Sequence, residues 1–134
     1  SIRTFKKEVR KKVISSMESV VKGVASGSGA SAELRIKQGY LATINTAQEA
    51  KKAALAAARV VGETKVILDA DPSTGSEDFA YMLQARPGCY IWLGNGYRDG
   101  GCMLHNPHYD FNDEILPIGT SYWVSLVEQE LPIS

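Results

Sequence analysis

The stretch from Thr74 to Asp113 constrains the fold most, because helix, strand, loop and turn signals follow one another there without a break. Thr74-Gly75-Ser76-Glu77 has the spacing of a capping box, in which a hydroxyl accepts from a free amide and the glutamate reaches back. A short helix is predicted from there through about Gln84. Pro87-Gly88 turns the chain into Cys89-Tyr90-Ile91-Trp92-Leu93, apolar at every position, the pattern of a strand covered on both faces of an α/β sheet. Gly94-Asn95-Gly96 and Gly100-Gly101 bracket a loop expected to be mobile, and His105-Asn106-Pro107-His108 forms a compact turn. Both histidines and both cysteines of the chain fall inside this stretch.

The preceding residues read as a β-α-β unit. Ser1–Phe5 is short and β-prone, like a strand whose preceding turn has been cut away. From Lys6 to about Ala25, Val9, Val13, Met17, Val20 and Val24 fall in steps of three and four, one stripe of an amphipathic helix. Gly27-Ser28-Gly29 stops it. Ala32–Gln38 alternates with period two, placing Ala32, Leu34 and Ile36 inward on a half-buried strand. Two strands make no stable sheet alone, so the unit requires partners and self-association is expected. Gly39–Asn45 connects to a second capping box, Thr46 to Glu49, and an alanine-rich helix to about Val61 that Gly62 ends, its small side chains suited to close packing on a sheet. Lys65–Leu68 is predicted as a strand. Asn112 is predicted to cap a last helix that buries Ile115, Tyr122, Trp123 and Leu126.

Composition sets the outer limits. A chain of 134 residues, 44% apolar, fits one compact domain with a real core. Fifteen basic residues balance fifteen acidic ones, leaving no general surplus of cations for nucleic acid. The cluster Lys6, Lys7, Arg10, Lys11 and Lys12 sits on a helical pattern and reads as a solvated face. No apolar run reaches the roughly 20 residues that span a membrane, and no signal-peptide pattern opens the chain. Two cysteines make no disulfide framework, which points to the cytoplasm.

His105 is the leading candidate for chemistry, since neutral imidazole is the common nitrogen ligand of zinc and related ions. A loop histidine bonded to a backbone carbonyl is the plain alternative. His108 gives a His-x-x-His pair and Cys102 a Cys-x-x-His pair, each short of a closed zinc site. Thr74, Gly75 and Ser76 offer amides and hydroxyls that could hold a substrate carboxylate. Glu77 and Asp78 open that helix as caps or supporting groups. Asn45 is either a helix cap or an amide reaching a substrate.

Taken as a block, Gly75-Ser76-Glu77-Asp78-Phe79, Pro87-Gly88-Cys89-Tyr90, Leu93-Gly94 and His105-Asn106-Pro107-His108-Tyr109-Asp110-Phe111-Asn112-Asp113 resemble the amidohydrolase branch of the metal-dependent aminoacylase and carboxypeptidase family. Hippurate hydrolases, N-acetyl-diaminopimelate deacetylases and auxin-conjugate hydrolases belong to it. Arg3-Thr4-Phe5 and Gly39-Tyr40 to Asn45 also match, so the resemblance covers nearly the whole chain. Leu41 stands where the family usually has proline, and Thr74 where it usually has methionine.

The resemblance implies an α/β architecture in two parts: residues 1–41 as the second half of a lid or dimerisation domain, and residues 42–134 as the closing part of a zinc-peptidase-like catalytic domain. It implies His105 as the last metal-binding histidine, with Asn45 and Thr74–Ser76 near the substrate. The expected parent is a hydrolase of N-acyl amino acids using a divalent ion (zinc, manganese or nickel), acting as a homo-oligomer without nucleic acid or membrane. The family's other ligands and its paired glutamates, one the general base, belong to sequence before Ser1. This chain alone is therefore expected to hold no tight metal and to hydrolyse no amide. The alternative is a non-catalytic module that self-associates or binds an acyl-amino-acid-like ligand.

Overall fold

Among the described residues, 1–96 and 103–132 of a computed structural model, regular structure is helical. The helices are α1 (Lys7–Gly27), α2 (Ala47–Val61), α3 (Phe79–Ala85) and α4 (Leu116–Glu130). Single 3-10 turns at Glu63–Lys65 and Asp113–Ile115 complete the list. The chain divides into two units, Ser1–Ile44 with Asp71–Arg86, and Asn45–Ala70 with Pro87–Ser134.

The predicted strands are not formed among these residues, so the regular structure described is helical and the α/β expectation finds no support in it. Ser1–Phe5, Ala32–Gln38 and Cys89–Leu93 carry no ladder, and Lys65 closes a 3-10 turn rather than opening a strand. The physical reason is that a strand exists only beside a neighbour that takes its N–H and C=O groups. Coverage of Cys89–Leu93 on both faces fails too: Ile91 is 41%, Trp92 68% and Leu93 47% exposed.

In the first unit, α1 ends as its glycines predict. Gly29 adopts φ +65°, which lets the Ala30 N–H reach the Ala25 carbonyl at 2.9 Å, and Ser28 Oγ donates to the Val24 carbonyl. The covered face is turned from the predicted stripe. Val13 remains half-buried, but Val9, Val20 and Val24 are exposed, while Arg10, Ile14, Val21 and Ala25 are half-covered. The turn follows from what the helix packs on, a cavity wall that Arg10, Ile14 and Met17 line. Helix α3 starts at Phe79, later than the Thr74 box predicts. Ser73 Oγ takes the Gly75 N–H at 3.1 Å and Glu77 Oε1 takes the Phe79 N–H at 3.2 Å, so the capping contact shifts along the chain.

The second unit is built on α2 against α4. Ala53, Ala56 and Tyr122 are buried, with Ala57, Cys89 and Leu126 packed on them. The alanines do permit close approach, but to a helix rather than to the expected sheet. Ser125 Oγ donates to the Ala56 carbonyl at 3.2 Å, possible only where no larger side chain intervenes. Trp123, predicted inward, is 62% exposed, because its neighbour Tyr122 takes the inward direction about 100° away around the helix. Thr46 is the N-cap of α2 but makes no capping bond; its hydroxyl accepts from the Gly88 N–H at 3.1 Å instead.

Candidate functional site

The first unit holds a cavity of about 480 Å³. Its wall includes Arg3, Arg10, Tyr40 and the Thr74-Gly75-Ser76 segment, and among the described lining residues there is no Asp or Glu. The Arg3 guanidinium donates to Ser76 Oγ across a long sequence separation, and Arg10 Nη1 reaches the Tyr40 carbonyl at 3.4 Å. Arg35 also lines the cavity, yet it is paired with Glu33 at 2.9 Å. The arrangement leaves guanidinium and hydroxyl donors facing a space without a protein carboxylate. Such donors suit an anion, because guanidinium binds carboxylate through parallel N–H groups. Sequence reasoning placed Thr74, Gly75 and Ser76 here and missed Arg3 as their partner, since residues so far apart give no local signal.

In the second unit, His105 lies on two successive turns. The Asn106 N–H donates to the Met103 carbonyl at 3.1 Å and the Tyr109 N–H to the Asn106 carbonyl at 2.9 Å. Asn106 Oδ1 accepts from the His108 N–H at 2.9 Å. His105 itself has φ +71°, a left-handed backbone rare for a residue with a Cβ, so its surroundings hold it there. Both histidines are exposed. Cys102 and the glycines at 100 and 101 lie outside the described residues.

Asn45 faces Tyr90: its Oδ1 accepts from the Tyr90 N–H and its Nδ2 donates to the Tyr90 carbonyl, both at 2.8 Å. It therefore joins two backbone segments of its unit. Cys89 sits half-buried beside α2 and α4, where burial pushes its thiol up and Glu49 adds to the effect, so the unreactive neutral form is favoured.

A catalytic divalent ion needs about three protein ligands. Among the described residues no group of three His, Cys, Asp or Glu side chains gathers to hold one. The described residues thus do not fit a complete metal centre; His105 could supply one donor to a shared one.

The chain is 34% identical over 127 residues to an N-acetylcysteine deacetylase of Bacillus subtilis, covering 94% of the chain and 32% of that protein. It is 31% identical to an N-acetyldiaminopimelate deacetylase of Streptococcus thermophilus (90% of the chain, 31% of that protein) and 28% identical to a hippurate hydrolase of Campylobacter jejuni (94% and 32%). The chain spans about a third of the length of these curated relatives. No solved structure matches. Residues 6–129 match peptidase family M20/M25/M40, and with the amidohydrolase relatives this establishes that the chain belongs to that family.

Proposed function

We propose that this chain supplies part of a metal-dependent amidohydrolase that cleaves the amide bond of N-acyl amino acids. The observation that supports the reading is the cavity in which Arg3 meets Ser76, with no Asp or Glu among its described lining residues. Arg3, Thr74, Gly75 and Ser76 would bind the substrate's α-carboxylate, exchanging the Arg3–Ser76 contact for a charge-assisted one. Glu77, bonded to the Phe79 N–H, holds the end of that segment, while Asp78 stands at the N-cap of α3 without a side-chain capping bond. Asn45 keeps the Tyr90 segment in place. His105 would donate one nitrogen to a divalent ion (zinc, manganese or nickel), whose other ligands and whose base come from outside the described residues. Such an ion, when bound, polarises the acyl carbonyl and activates water.

On this reading residues 1–41 belong to a lid or dimerisation domain and residues 42–134 to the catalytic domain, in a cytoplasmic homo-oligomer. No described helix is long and apolar enough to cross a membrane. The relatives carry names of acyl-amino-acid hydrolysis, which supports the substrate class. The test is kinetic. The intact gene product should hydrolyse hippurate or an N-acetyl amino acid, and Arg3→Ala should raise KM by about 10- to 100-fold, the range of a lost charged hydrogen bond. Unchanged KM in Arg3→Ala would remove Arg3 from the binding site.

A further inference from the structure

We infer that the cavity of the first unit takes a ligand with two anionic groups, so that the preferred substrate is an N-acyl amino acid carrying a second carboxylate. The inference deepens the reading of Arg3 and Ser76 as the site of the α-carboxylate and rests on it. Four cationic side chains line the cavity, Arg3, Arg10, Arg35 and Lys37, against no Asp or Glu among the described lining residues. Glu33 neutralises one of them, its Oε1 accepting from Arg35 Nε at 3.0 Å and its Oε2 from Arg35 Nη2 at 2.9 Å. The positive charges of Arg3, Arg10 and Lys37 then face a single α-carboxylate.

The spare charges have anchors of their own. Arg3 is fixed to Ser76, whereas Arg10, on α1, reaches the Tyr40 carbonyl. That second contact is 3.4 Å long, near the outer limit of a hydrogen bond, and a guanidinium has several N–H groups, so Arg10 keeps donors for a ligand. Lys37 precedes Tyr40 on the same segment and, among the described residues, pairs with no carboxylate. An anion at Arg3 therefore leaves Arg10 and Lys37 uncompensated, and like charges lining one cleft attract a further anion. A volume of about 480 Å³ admits a ligand long enough to carry both groups. The second carboxylate belongs to the amino-acid side chain or to the acyl group, and the chemistry that holds it is the same.

The experiment compares kcat/KM of the intact gene product for matched pairs at low ionic strength. N-acetylglutamate against N-acetylglutamine puts the second charge in the amino acid. N-succinylalanine against its terminal amide puts it in the acyl group. One pair should favour the dianion by about five- to thirtyfold, the range of one or two solvent-reached ion pairs, chiefly through KM. Lys37→Gln should cut that preference by about fivefold, while Lys11→Gln, on α1 but outside the cavity wall, should leave it as in the wild type. Ratios near one in both pairs, for an enzyme that hydrolyses them, overturn the inference and leave the α-carboxylate site standing. A preference that Lys37→Gln leaves intact overturns it as well. Where none of the four is hydrolysed, calorimetry on the 134-residue chain decides. Tighter binding of a dianion than of its matched partner, weakened in Lys37→Gln, upholds the two-anion cavity and overturns the hydrolase reading alone; equal binding or none overturns the inference.

Discussion

Asn45 takes the place of a neighbouring strand beside Tyr90, satisfying both the N–H and the carbonyl of that residue at 2.8 Å. Thr46 continues the pairing, its N–H on the Gly88 carbonyl at 2.9 Å and its hydroxyl on the Gly88 N–H at 3.1 Å. One side-chain amide thus supplies what a ladder would. Asn45→Ala removes two hydrogen bonds. It should lower unfolding free energy by about 1–3 kcal/mol, read as an earlier urea midpoint with an unchanged slope.

The contact of α2 with α4 depends on the absence of side-chain bulk at one position. Ala56 is 0% exposed, whereas its neighbour Leu55 is 60% exposed. Ala56→Leu should cost about 1–3 kcal/mol through forced separation of the helices. Leu55→Ala should change stability by no more than about 0.5 kcal/mol. Thermal melting of the two variants side by side checks both.

Helices were legible in the sequence because their signals are local. Gly29 and Gly62 stop α1 and α2 where glycine was expected to. Strands were not, since the alternation of Ala32–Gln38 and the apolar run Cys89–Leu93 describe what a sheet would want without supplying a neighbour. Of the candidate site, the Thr74–Ser76 segment and the His105 turn could be picked out by residue type. Arg3 could not, because its candidacy comes from a partner distant in sequence, Ser76.

The Lys52–Glu130 pair gives an acid-side prediction. Hydrogen bonding from Lys52, then from Gln129, holds the Glu130 carboxyl below its ordinary value of 4.5. A carboxyl depressed in the folded state contributes stability above its unfolded value, and that contribution is lost as pH falls through the folded one. Lys52 is raised above 10.5, first by its bond to Glu130, so its share is present below that value and lost as pH rises through the folded one. Both groups reach solvent, so the effect is small. Glu130→Gln should flatten the decline in melting temperature below pH 4.5, measured by calorimetry at low ionic strength.

Helix α4 is apolar on a second side. Leu116, Trp123 and Val127 share one stripe and are 65%, 62% and 55% exposed, opposite in role to Tyr122 at 8%. An exposed stripe of this kind favours association. Sedimentation velocity should show average mass rising with concentration, and Trp123→Lys should move the distribution toward monomer. A strict monomer at high concentration for the wild type would remove the homo-oligomer from the proposal.

On the proposed function, His105 donates to an ion that it cannot hold alone, in an acyl-amino-acid hydrolase. Zinc binding and hippurate hydrolysis should be measured together on the 134-residue chain, on the intact gene product and on its His105→Ala variant. The chain alone should show no nanomolar zinc site and no turnover, the intact product should show both, and His105→Ala should lose both. Turnover or one nanomolar zinc per chain in the 134-residue protein, or full activity in His105→Ala, would contradict it.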